Sequence, residues 1–180
     1  MDHTLFSNRS ILTMIHGIVL GGGALMALTA ALFALRAMRV ADPSRASAPY
    51  GSPPLAWLLA FAATALWATI IIGAYVNFPA YRATPPQGLI DLAQFPRSLL
   101  QSKPETVWLH GFAMEIKEHM PWIAAMLASA VAFVAARYRS TLLTDRRMNG
   151  MATTLLAICF ALASIVGVLG IFVNKVAPLE

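Results

Sequence analysis

Apolar positions along this chain gather into four long runs, at residues 11–35, 55–76, 105–136 and 151–173. Each exceeds or matches the ~20 helical residues that cross a hydrocarbon core. The runs are rich in Ala, Leu, Ile and Val and show no alternation of period two, which predicts helices rather than barrel strands. The expected fold is all-α: an integral membrane four-helix bundle, with residues 1–180 forming a single transmembrane domain. The first run is much longer than the ~7–15 apolar residues of a secretory signal, so it reads as a retained span.

The polar segments between the runs differ in kind. Residues 36–54 are rich in Pro, Ser and Arg and read as an exposed loop, and residues 138–150 are short and basic. Residues 77–104 hold Pro79, Pro85, Pro86, Pro96 and Pro104 together with Tyr81, Phe95 and several leucines. This segment is expected to be an ordered loop that acts as a lid, with residues 89–95 forming a short interfacial helix. Arg36, Arg39, Arg45, Arg137, Arg139, Arg146 and Arg147 cluster at one end of the spans, against Arg9, Arg82, Arg97, Lys103 and Lys175 at the other. The positive-inside rule then places both termini and the long loop on the outer, periplasmic side of a cell inner membrane, as a multi-pass protein. Gly17 and Gly21 make a G-x-x-x-G, and Ala163, Gly167 and Gly170 form a similar surface on the fourth span, suited to close helix packing or to a flat cofactor against 17–23.

Composition narrows the class. Hydrophobic residues make up 58% of the chain and charged residues 12%; mean hydropathy is +0.67. An ordinary soluble domain is thereby excluded. The net charge of +5 sits between the spans, where it sets topology, and carries no nucleic-acid signal. Cys159 is alone in an apolar run and reads as a small filler, which leaves no disulfide framework and no covalent haem attachment.

The third run departs from the rule that spans are apolar. Its first half carries His110, Glu115, Lys117, Glu118 and His119. Ionisable groups in a span cost about 2.5–3.5 kcal/mol each on insertion scales and persist where they pair, bind or line a wet cavity. At about 100° per residue, Trp108, Glu115, Glu118, His119 and Trp122 share one face, and His110 and Lys117 lie nearly opposite. The first face is expected to point into the bundle, with Glu115 and His119 paired at i and i+4. Pro121 is expected to kink the helix beside them.

His16, about 7 Å into the first run from Ile11, and His119, about 16 Å beyond Trp108 in the third, are candidate axial ligands of one b-type haem, with His110 in reserve. Trp108, Phe112 and Trp122 would wall the site. Arg82 and Arg97 would hold the propionates, pair with Glu115 or Glu118, or bind a lipid head group. Glu115, Glu118 and Lys117 would relay protons and tune charge. His3 reads as a solvated terminal residue. The leading expectation is a membrane subunit of a respiratory or redox assembly that passes electrons between quinone and an external partner, with the lipid bilayer and other membrane or periplasmic redox subunits as its surroundings. Two alternatives stay open: a cofactor-free accessory subunit, and a non-haem metal or proton-relay protein. A self-contained di-iron enzyme is disfavoured, because the spacing is Glu-x-x-x-His and no second acidic helix exists.

Tyr75, Pro79-Ala80-Tyr81-Arg82, Phe95-Pro96-Arg97 and the string from Trp108 through Glu115-Ile116-Lys117-Glu118-His119 together resemble a group of poorly characterised bacterial four-span membrane proteins. The match spans the second run, the long loop and the third run, and implies the four-span fold without an activity. A looser similarity to four-helix b-type cytochromes is carried by His16, His110 and His119 alone. The multiple paired histidines of a di-haem cytochrome are missing.

Overall fold

The computed structural model describes residues 8–40 and 53–178. Among these residues the protein is helical, without a strand. Four helices are long and apolar enough to cross a membrane: Ser10–Met38, Pro54–Tyr81, Leu109–Arg137 and Arg146–Val176. Each span packs on its neighbours in sequence, and the first closes on the fourth. The result is an up-and-down bundle. One end carries the ordered segment between Tyr81 and Leu109 and is called the loop end below. The other, the turn end, carries the tight connection from the third span to the fourth.

That tight connection is partly helical. Arg139–Thr144 makes a short helix. Asp145 then caps the fourth span, its Oδ1 accepting from the backbone N–H of Arg147 at 2.8 Å and of Met148 at 3.3 Å. These bonds satisfy donors that a helix start leaves bare. The stretch from 41 to 52, expected to be exposed, lies outside the described residues.

Two apolar clusters hold the bundle. The larger runs from mid-membrane to the turn end, built on Leu28, Leu35, Leu59, Ala124, Ala128 and Leu156 with other small residues. Alanines on the third span let its backbone approach the second and fourth, as expected where lipid offers no hydrophobic drive for helices to associate. Trp67 crosses this region, with its Nε1–H donating to Ser129 Oγ at 3.0 Å. Its ring meets Trp122 edge-on at 5.7 Å. The smaller cluster joins Tyr81, Leu100, Leu109, Ala113, Met114 and Val173 at the loop end.

The long segment is ordered, but its helix is not where the sequence pattern suggests. Residues 89–92 are irregular, and the short helix is Pro96–Gln101. Asp91 Oδ1 accepts from the Ala93 N–H at 3.0 Å, which favours a turn over a helix. Pro96 then starts the helix, a position that suits its fixed φ and missing N–H. Through Leu99 and Leu100 this helix packs onto the third and fourth spans.

Three of the four spans leave α geometry at the loop end. Ile15–Gly22, Gly73–Asn77 and Leu109–Ala113 are π-helical. Such segments are rare and recur at functional sites. By contrast the third span runs unbroken past Pro121, from Met114 to Arg137.

Candidate functional site

The polar residues of the loop end fall into two levels. The lower lies about 9–12 Å inward from the span ends at 1.5 Å per residue, and every span contributes to it. His16 comes from the first span and its ring lies against Gly73 of the second: a Cβ at Gly73 would stand 2.9 Å from His16 Cε1. Any larger residue at 73 would force the His16 ring or its surroundings to shift. Lys117 of the third span reaches Gly170 of the fourth, its Nζ 3.5 Å from where a Cβ would be. His16 and Lys117 lie within electrostatic reach of each other.

The Thr69 backbone and Lys117 both act electrostatically on the His16 ring, and its Nδ1 is buried without a hydrogen-bond partner. Thr13, one turn earlier on the same helix, also has a buried hydroxyl oxygen without a partner. Unmet buried polar atoms are costly and rare, and point to a ligand, a water or a proton.

The upper level lies where the loop meets the bundle. The Tyr81 hydroxyl and His110 Nδ1 share a hydrogen bond of 2.7 Å. Arg97, from the loop helix, and Glu118 both act electrostatically on Tyr81. Arg97 Nε is buried without a partner. The two levels adjoin through consecutive residues of the third span: Lys117 reaches Gly170, and Glu118 acts electrostatically on Tyr81. Nearer the turn end the larger cluster is apolar, so the polar path stops partway through the membrane.

This arrangement inverts the face expected from the helical wheel. The wheel separates His110 and Lys117 from Glu115 and His119, and the structure keeps that split. The inward face, however, is that of His110 and Lys117. His119 and Glu115 are 69% and 68% exposed. His119 Nδ1 bonds the Glu115 backbone carbonyl at 2.8 Å and lies 3.7 Å from its carboxylate. Glu118 sits between the two faces, half-buried. The small side chains Ala113, Ala124, Ala128 and Ala135 share the buried side, and they, not the charges, decide which face packs.

Several other candidates move with that face. His16 turns inward and His119 outward, so the structure does not bring the two imidazoles to one centre. Trp108 and Phe112 are exposed and wall nothing within the bundle. Arg82 is exposed and lays its guanidinium over the Phe78 ring at 5.3 Å, whereas Arg97 joins the upper level. Among the described residues no group of three or more His, Cys, Asp or Glu side chains could hold a metal ion. Cys159 is a buried filler, its Sγ donating to the Ala124 carbonyl at 3.2 Å. His3 lies outside the described residues.

The glycines are redistributed as well. A Cβ at Gly17 or Gly167 would meet nothing within 4 Å, and at Gly21 only the carbonyl oxygen of His16. The G-x-x-x-G therefore mediates no close helix contact in the bundle. Gly73 and Gly170 are the ones that admit His16 and Lys117. A glycine one turn from a span's polar end is the signal that could have marked Gly73.

Comparison of the chain with protein-family models, with curated proteins and with solved structures finds no match to any of them.

Proposed function

We propose that the protein is a multi-pass inner-membrane subunit that exchanges protons in the half of the bilayer beneath its loop, as part of a larger assembly. The observation that carries this reading is the bare Nδ1 of His16, buried at the level where all four spans contribute. An imidazole with an unpartnered ring nitrogen is suited to take up or release a proton there, and it is the only side chain whose ordinary range straddles neutral pH. Lys117 stands beside it as donor and cation. The Tyr81–His110 bond, with Glu118 and Arg97, supplies groups that connect the interior to the surface. Histidine and carboxylate chains within spans commonly serve proton transfer.

The basic residues of the turn end favour an orientation with the loop and both termini outside the cytoplasm. The site would then trade protons with the outer face. A quinone-using assembly would employ such a site, since quinone reduction consumes protons along with electrons. A haem on His16 and His119 is not part of the proposal, because the His16 ring lies against Gly73 inside the bundle and His119 is 69% exposed on the outward face.

Histidine-selective 15N NMR of the full chain in lipid nanodiscs tests the reading. The His16 ring is expected to pass between neutral and protonated forms within pH 5–9, with a midpoint that moves in Lys117→Met. A His16 ring fixed in one state throughout, with no response to Lys117→Met, overturns it. A Soret band in the purified protein would also overturn it, in favour of haem.

A further inference from the structure

Glu115 and His119 pose a problem that the bundle does not solve. They project from the third span away from the other three, at 68% and 69% exposure. The span Leu109–Arg137 is about 43 Å long at 1.5 Å per residue, against a hydrocarbon core of about 30 Å. A centred span leaves about 6–7 Å at each end, which places His119 about 8 Å inside the hydrocarbon. Lipid solvates neither an imidazole nor a carboxylate there. The other outward positions are of another kind: Met26, Phe33, Phe61 and Ile171 face out as apolar groups that lipid covers without cost.

The spacing on this face is regular. Phe112, Glu115, His119, Trp122 and Met126 are all exposed and recur at intervals of three, four, three and four. That is the alternation of a helix seam that packs lengthwise on another helix at a shallow angle. Donor and acceptor are both present on it, one turn apart. His119 uses Nδ1 on its own backbone, which leaves Nε2 to point outward, and the Glu115 carboxylate stands beside it.

We propose that this seam is the interface of a two-fold symmetric homodimer within the membrane. The occupant is a second copy of the chain because the seam is self-complementary. A two-fold axis along the membrane normal sets the seam against itself. His119 of each protomer, as the imidazolium with Nδ1–H on its own backbone, then donates Nε2–H to the Glu115 carboxylate of its partner. Two such bonds form by symmetry, the charges cancel across the interface, and no other chain is required to satisfy either group. Phe112, Trp122 and Met126 close the seam above and below and exclude lipid from the polar pair. The inference is independent of proton exchange at His16, which lies on the inward side.

Cross-linking of the full chain in liposomes tests it. Cys159, the native thiol, is fully buried and is retained. With an added oxidant, Met126→Cys and Phe112→Cys are expected to give disulfide-linked dimers, and Ile171→Cys, exposed on the fourth span, is not. Glu115→His or His119→Glu alone is expected to weaken association roughly tenfold, by analytical ultracentrifugation or dilution in lipid. The double variant Glu115→His with His119→Glu restores the pairing and is expected to restore the dimer. Thermal unfolding identifies any variant that fails to fold. A parent protein that stays monomeric at every lipid ratio overturns the proposal. So does cross-linking at Ile171→Cys equal to that at Met126→Cys, or a double variant no better than the singles.

Discussion

Nearer the turn end, Leu28, Leu59 and Leu156 are completely buried among alanines, and the helices keep α geometry. Nearer the loop end, π-helical segments interrupt three spans, and His16, Thr13 and Arg97 bury polar atoms without partners. The first half follows the packing logic of small and aliphatic side chains. The second departs from it wherever a polar group enters. Stability and chemistry are thus divided along the membrane normal, and a bundle of this kind tolerates unmet polar atoms at one end because the other end holds it together.

That division predicts a graded response to substitution. The largest effect is expected from Leu156→Ala, which opens a cavity in the apolar half and should cost about 2–4 kcal/mol in equilibrium unfolding from mixed micelles. Gly73→Val should follow at about 1–3 kcal/mol, because its Cβ overlaps the His16 ring. His16→Ala placed on that background should recover much of the loss, and a double variant as unstable as Gly73→Val alone would break the proposed contact. Tyr81→Phe removes one hydrogen bond and should cost about 1 kcal/mol. Lys117→Met keeps a chain of similar length against Gly170 and removes a cation from the bundle. It is expected to be neutral or stabilising by up to about 1 kcal/mol, while moving the midpoint of the His16 titration described above. Amide hydrogen exchange sharpens the same contrast: amides of Ile15–Gly22 and Gly73–Asn77 should exchange faster than those around Leu59 and Leu156.

The spans themselves were legible because length and apolar content suffice to identify them, and the structure shifts their ends by only a few residues. The split of the third span was legible too, since a wheel separates Lys117 from His119 whatever surrounds the helix. Which side turned inward was not. In a soluble protein the apolar side packs, but lipid is as apolar as leucine, so that rule gives no preference here. Charge is not the inward signal on this helix; the alanines at 113, 124, 128 and 135 carry it. Residues 89–95 misled for a related reason: their apolar content fits an interfacial helix, but Asp91 diverts the local hydrogen bonding and Pro96 offers a better start. The Tyr81–His110 bond and the close contacts at Gly73 and Gly170 depend on the register between helices, and one sequence does not encode that register in any local pattern.

The point at which the polar path ends has an electrical consequence. At 1.5 Å per residue, Lys117 lies about 5 Å and His16 about 2–3 Å within the hydrocarbon, at most roughly a sixth of its thickness. Almost all of a transmembrane voltage therefore drops across the apolar half beyond them. Moving one charge between the loop surface and His16 crosses only about 0.2 kcal/mol of a 100 mV potential, where a full crossing takes about 2.3. In the proposed proton exchange, the bundle would act as an insulator with a shallow contact on one side: protons at His16 would answer to the pH of that side and hardly at all to the membrane potential.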